Sequence, residues 1–398
     1  MSHQLSIGRV PAVVVGGNLN GLGVVRSLAR GRVPVVVLDT TRRCPAAWSR
    51  HCRFRLVPSL AGEVLIDALV QLAAQLGCRP VLILTSEDSV LAISVFRERI
   101  EPLYRIDLPP AAVVEGLADK TRFHALAEEK GFAVPRSRSV RGASDLDRIG
   151  ELTPPLILKP ADKTLVLAGL AERVVRAETA AHARAAAAQM LTCVPALIVQ
   201  EWVEGPDTDI FFSLFTCDRG ARLVGFFTGR KLVCSPPAIG STAMCVAAPE
   251  VAEEIHLQTS EFVRNIGYRG IGSLEFKRDS RTGRLLIIEP TVGRTDWQEE
   301  IGTLCGMNLP LLTYCTAIGA VPPPIDSHSS IPVAWRSDRE FRIPRELVTS
   351  RARVFDGYFR WPDPLPAAYY YGYERLAVRA WRRTVRLIHP TSHLARAN

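Results

Sequence analysis

The sequence predicts a mixed fold, an α/β section followed by an α+β section. Two observations predict it. In the first section short apolar runs alternate with helical stretches, the pattern of an open parallel sheet with crossover helices. Beyond Ala196 most β runs follow one another across turns, which predicts mainly antiparallel sheet. At 398 residues the chain is long enough for two or three packed units.

In the α/β section Ala12–Val15 reads as a strand, Gly16–Gly23 as a glycine-rich turn and Val24–Arg30 as a helix. Val33–Leu38 is the next strand, closed by Asp39, followed by a helix over Ala61–Leu76 and a strand over Pro80–Leu84. The turn is near the dinucleotide-binding fingerprint without matching it. That departure favours a tight strand-to-helix turn over a nicotinamide site. A boundary falls at Pro109-Pro110, and Asp119–Lys130 is a helix closed by Gly131.

The second section opens with the strand Leu156–Pro160, which carries Lys159, and an alanine-rich helix over Glu178–Leu191. Ala196–Val203 is a strand that leads into the turn Glu204-Gly205-Pro206-Asp207. Ile210–Phe215 and Leu223–Thr228 continue the sheet, and Pro249–Ile266 is a helix. Two further strands, Ser273–Lys277 and Leu285–Pro290, are joined by a polar turn. Leu304–Ile318 reads as one helix, and Pro322-Pro323-Pro324 as an exit from the packed unit.

The strands Ser273–Lys277 and Leu285–Pro290 carry the chemistry. Each places one glutamate, Glu275 or Glu289, inside an apolar run. An unpaired buried carboxylate is expensive, and two side by side repel unless something positive lies between them. Mg²⁺ presenting a nucleotide answers both problems, because it takes carboxylate oxygens and keeps phosphate oxygens as further ligands. A surface hairpin whose glutamates are solvated or paired with arginine or lysine answers them too. Lysine at the end of an apolar strand, as at Lys159, is unusual, and Lys120 starts a helix. Together with the glutamates these cations suit phosphate oxygens.

Composition narrows the classes. With 47% hydrophobic and 22% charged residues the chain is an ordinary globular protein, and its net charge of +9 suits anionic partners. No nucleic-acid module is present. Nine scattered cysteines without a Cys-x-x-Cys pair predict free thiols in a reducing compartment. The N-terminus lacks a signal-peptide layout and no stretch is long and apolar enough to span a bilayer, so a cytoplasmic protein is expected. No Gly-x-Ser-x-Gly elbow appears, and the eight histidines lack metal-ligand spacing.

From Asp119 to Ile318 the order of these features resembles the ATP-grasp superfamily of carboxylate–amine or carboxylate–thiol ligases. The matching features are Lys120, Lys159, the strand Val199–Val203 with its turn, the pair Arg230-Lys231, then Glu275 and Glu289. The resemblance implies a pre-ATP-grasp Rossmann-like domain over 1–115 and a two-lobed ATP-grasp domain with antiparallel sheets. Its small lobe would cover 116–202 and its large lobe, with the Mg-ATP site, 203–322, leaving a basic aromatic extension over 323–398. Lys120 and Lys159 would contact the phosphates and the adenine edge of ATP. Gln200, Glu201 and Val203 would line the adenine pocket, and Asp207 would accept hydrogen bonds from the ribose. Lys231, with Arg230 beside it in sequence, would neutralise the transferring phosphoryl group, Arg294 would bind an anionic group, and Glu275 and Glu289 would hold Mg²⁺.

The implied activity is an ATP-dependent ligase that activates a small-molecule carboxylate as an acyl phosphate for attack by an amine. Two departures stand against the pattern. Thr291 occupies the place of an asparagine, and the stretch Ala161–Gly169 is poorer in glycine than the usual phosphate flap. They keep open a second expectation, a catalytically weak ATP-binding sensor or membrane-surface binding protein.

The C-terminal stretch differs in character. Arg375, Arg379, Arg382, Arg383 and Arg386 fall on one helical face, with Trp381, Val385 and Ile388 on another. Such a helix either docks on its own domain or makes peripheral contact with an anionic membrane at the inner face.

Overall fold

The computed structural model describes residues 8–161, 174–324 and 331–374. The glycine-poor stretch after Ala161 and the basic segment from Arg375 lie outside the described residues. Three sheets organise the rest. The first is parallel, with strands β1 (Ala12–Val15), β2 (Val35–Asp39), β3 (Arg53–Leu56) and β4 (Val81–Leu84) in the order β3-β2-β1-β4. Alternate side chains of its central strands enter two different cores. Val13, Val15 and Leu38 pack with Leu65, Ile66 and Leu69 of the helix Gly62–Leu76. Ala12, Val14, Val35 and Val37 pack with Leu22, Val25 and Leu28 of the helix Leu19–Arg30. Strands covered on both faces read as continuous apolar runs, which is why these were legible.

The glycine-rich turn requires correction. The helix starts at Leu19, not Val24, with the Asn18 side chain capping Gly21 N–H. Gly21 and Gly23 lie inside the helix and are glycine because neighbours approach too closely for a side chain. A Cβ at Gly21 would lie 2.0 Å from the carbonyl oxygen of Gly16, and one at Gly23 would meet Glu300 at 3.1 Å.

The second sheet holds β5 (Ser137–Val140), β6 (Leu156–Pro160), β7 (Val175–Ala177) and β8 (Leu197–Glu201), antiparallel in the order β5-β8-β6-β7. It has its own core, in which Leu156, Leu158 and Val199 face Ala183 and Ala187 of the helix Ala180–Met190. The third sheet holds β9 (Ile210–Cys217), β10 (Leu223–Ser235), β11 (Ser241–Ala247), β12 (Gly270–Arg278), β13 (Leu285–Val292), β14 (Val333–Arg336) and β15 (Arg353–Asp356), in the order β13-β12-β9-β10-β11-β14-β15. Only its β14–β15 pair is parallel. The helix expected over Leu304–Ile318 is two helices, Glu300–Leu304 and Leu309–Ile318, because Asn308 caps a new start with Pro310 in its first turn. No helix among the described residues is long and apolar enough to cross a membrane. All nine cysteines are free.

The proline run is not an exit. Beyond it the chain returns to complete the third sheet, pairing β14 against β11. It then reaches back to the first helix. Arg26 Nε lies 3.1 Å from Asp363 Oδ2, and its other nitrogens donate to the carbonyls of Gly357 and Tyr358. Asp363 also accepts from Ser49 Oγ and Arg50 N–H, both at 3.0 Å. Both members of the pair are buried. Removing one partner strands the other charge in the interior, so Arg26→Ala should cost about 3–5 kcal/mol in urea denaturation. A loss below about 1 kcal/mol would show that the pair does not hold the ends of the chain together.

Candidate functional site

A cleft of about 530 Å³ lies between the second and third sheets. It receives Lys120 from the helix Lys120–Lys130, Lys159 from β6, Gln200 and Glu201 from β8, and Val203 just beyond it. The third sheet contributes Glu275 and Lys277 from β12 and Glu289 from β13. The helix begins where it does because the Asp119 carboxylate accepts Thr121 and Arg122 N–H groups, and Gly131 closes it in the left-handed conformation. Seven side chains that the sequence proposed for one site thus meet in one cleft.

Glu275 and Glu289 are cross-strand partners in the β12–β13 register, with a β-bulge directly after Glu275. Like charges placed opposite one another destabilise a sheet unless compensated. Each has a cation. Lys231 Nζ lies 2.5 Å from Glu275 Oε2, and Lys120 Nζ lies 3.9 Å from Glu289 Oε1. Lys231 is buried on β10 and does not line the cleft itself. Burial works to lower its pKa, but the carboxylate of Glu275 holds the ammonium above its ordinary range.

Among the described residues no group of three or more His, Cys, Asp or Glu side chains could enclose a metal ion. Two opposed carboxylates at an open cleft instead suit an ion such as Mg²⁺, which is bound through one or two carboxylates and keeps water and phosphate oxygens as its other ligands. By that measure the donor set fits.

Asp207 and Arg294 lie elsewhere. Both Asp207 oxygens accept backbone N–H groups, from Cys234 and Ala238, each at 2.8 Å. The carboxylate therefore anchors the loop whose residues Ala238 to Ser241 form one wall of the cleft, and Asp207 is not among the lining residues. Arg294 is half-buried outside the cleft and donates to the carbonyl of Thr295 at 3.1 Å. Glu201 lines the cleft while its Oε1 accepts Thr153 N–H at 2.8 Å and pairs with Arg136.

Three contributors escaped the sequence reading. Lys277 shares the face of Glu275, as the two-residue period of a strand requires, and its ammonium lies 4.7 Å from the ring centroid of Trp202. Burial lowers its pKa. Trp202 itself lines the cleft, with Arg176 over its ring at 4.7 Å. His124 stands behind Gln200, with Nε2 3.0 Å from the amide nitrogen. Burial, with Lys159 and Lys120 nearby, pushes His124 down to about 4 and keeps it neutral. An i, i+4 spacing from Lys120 was the available signal for His124.

A polar track lies between β12 and the parallel sheet, where Thr295 N–H donates to the carbonyl of Leu84 at 3.2 Å. Ser273, two residues before Glu275, donates to Asp296 Oδ2 at 2.9 Å, and Gln298 donates to the same oxygen at 3.0 Å. Glu299 is buried beside them. Its Oε2 accepts Asp296 N–H at 3.2 Å, and its Oε1 has no hydrogen-bond partner among the described residues.

No family model matches the chain, and no curated protein matches it. Solved structures do. N5-carboxyaminoimidazole synthetase from Staphylococcus aureus, complexed with ADP, is 16% identical over 80% of each chain with a TM-score of 0.63. The biotin carboxylase domain of 2-oxoglutarate carboxylase from Hydrogenobacter thermophilus, solved with MgADP and bicarbonate, is 15% identical over 77% of this chain and 69% of that one, with a TM-score of 0.58. L-amino acid ligase from Bacillus licheniformis is 16% identical over 79% of this chain and 75% of that one, with a TM-score of 0.57. Likeness at this identity shows a shared fold.

Burial pushes Glu299 up to about 8, against an ordinary value of 4.5. The folded state then holds a proton that the unfolded state has released. Stability should fall as pH rises from about 4.5 to about 8, by at most about 1.4 kcal/mol per pH unit. Glu299→Gln should flatten that slope in denaturation measured across the range; an unchanged slope would mean that Glu299 ionises freely.

Proposed function

We propose that this chain, which has the ATP-grasp fold, is an ATP-dependent ligase that activates a carboxylate as an acyl phosphate for attack by an amine. The observation that carries the reading is the pairing of Glu275 with Glu289 at a cleft that also receives Lys120 and Lys159. In this reading ATP lies between residues 116–202 and 203–322. Gln200, Glu201, Trp202 and Val203 hold the base, and Lys120, Lys159 and Lys277 face the phosphates. Glu275 and Glu289 would hold Mg²⁺, which when bound neutralises phosphate charge and orients the triphosphate.

The substrate carboxylate attacks the γ-phosphorus and ADP departs; the amine then attacks the acyl carbon, the C–O bond to phosphate breaks with its electron pair going to the phosphate, and the nitrogen gives up a proton. No side-chain nucleophile is needed, so the protein acts by positioning reactants and stabilising phosphoryl charge. Lys231 supports the site through Glu275, whose orientation it holds. Arg294 and the polar track of Ser273 and Asp296 lie toward the first domain, where a carboxylate-bearing substrate would enter.

Two experiments test the reading. The double change Glu275→Ala with Glu289→Ala should abolish Mg-ATP binding in calorimetry, and unchanged binding rejects the site. Lys231→Met should lower ADP release by roughly 100-fold or more across a screen of carboxylate and amine pairs, the scale of losing one preorganised charge contact. ATP binding by the unaltered protein with no ADP release on any pair would favour a nucleotide sensor.

A further inference from the structure

We propose that a basic, aromatic face of this chain docks on an anionic lipid surface. The face joins two segments distant in sequence. Trp48 stacks on Tyr369 with ring centroids 4.9 Å apart, and Tyr369 stacks in turn on Tyr373 at 5.8 Å. Arg50 binds Asp363 through its backbone N–H at 3.0 Å and reaches the carbonyl of Pro362, the residue that follows Trp361. Trp361 is 85% exposed, Tyr373 62%, Leu365 56% and Trp48 42%. Exposed apolar residues are ordinary when scattered, but large ones clustered in this way mark a contact surface.

The charge is one-sided. Arg42, Arg43 and Arg50 are exposed on the Trp48 segment. Thr41–Arg55 contains no acidic residue, and Gly357–Glu374 contains two: Glu374 at its end, and Asp363, which is buried and occupied by Arg26, Ser49 and Arg50. The chain also leaves the described structure at this face. Residues 375–398, outside the described residues, carry six arginines and no acidic residue.

Tryptophan and tyrosine favour the membrane–water boundary, where the ring body leaves water while its polar edge stays hydrated. An anionic leaflet attracts nearby basic side chains by about 1 kcal/mol each. A second copy of the same face would set arginine against arginine, which disfavours self-association. Trp361 and Leu365 would insert, and the arginines would contact lipid phosphates and carboxylates.

The test uses the full chain, sedimented with vesicles of phosphatidylcholine alone and with vesicles containing about one-third phosphatidylserine. Binding is expected to the anionic vesicles only and to weaken at high salt. Trp361→Ser combined with Leu365→Ser should reduce it roughly tenfold or more. Both side chains are exposed, so an unchanged denaturation midpoint will show that the variant is folded. Brominated lipid should quench tryptophan emission in the unaltered protein and do so less in the variant. Three results would overturn the proposal: no binding to anionic vesicles, equal binding by the variant, or self-association of the free protein through this face.

Discussion

Two carboxylates face one another across neighbouring strands, and the cleft is organised around that repulsion. Glu275 and Glu289 would weaken the β12–β13 pair if left alone. The protein does not separate them. It supplies a buried ammonium to one and a cleft-facing ammonium to the other. The compensation is divided between elements, since Lys231 belongs to the large sheet and Lys120 to a helix leading into the small sheet. An ion entering the cleft therefore meets negative charge already oriented, with cations behind and beside it.

The rest of the architecture holds that arrangement open. The small sheet has a core of its own, separate from the cores that join the parallel sheet to the large one. Its contribution to the cleft is a strand end and a tryptophan held between Arg176 and Lys277. Opposite, Asp207 fixes the wall loop by two backbone N–H groups. The cleft is thus a gap between bodies with separate interiors, walled by one tethered loop.

Much of this was legible from residue type and period. Apolar runs marked the buried strands, Asp119 and Gly131 marked the ends of a helix, and two strand glutamates with strand and helix lysines marked the cleft. What was not legible depends on contacts distant in sequence. The N–H groups that donate to Asp207 lie 27 and 31 residues away, so its loop-anchoring role has no local signature. Gly21 and Gly23 look like turn residues until Gly16 and Glu300 crowd them. Strands β14 and β15 follow a proline run and are short, and they become strands because β11 offers an open edge.

The clasp between Arg26 and Asp363 spans 337 positions. During synthesis the first helix emerges long before its counter-ion exists. Until the ribosome delivers the closing segment, the guanidinium meets neither Asp363 nor the carbonyls of Gly357 and Tyr358 that together hold it. The opening α/β unit, although first to leave the tunnel, thus lacks this clasp until the closing segment follows, and a nascent chain cut short of residue 363 carries an arginine placed for a partner that never arrives.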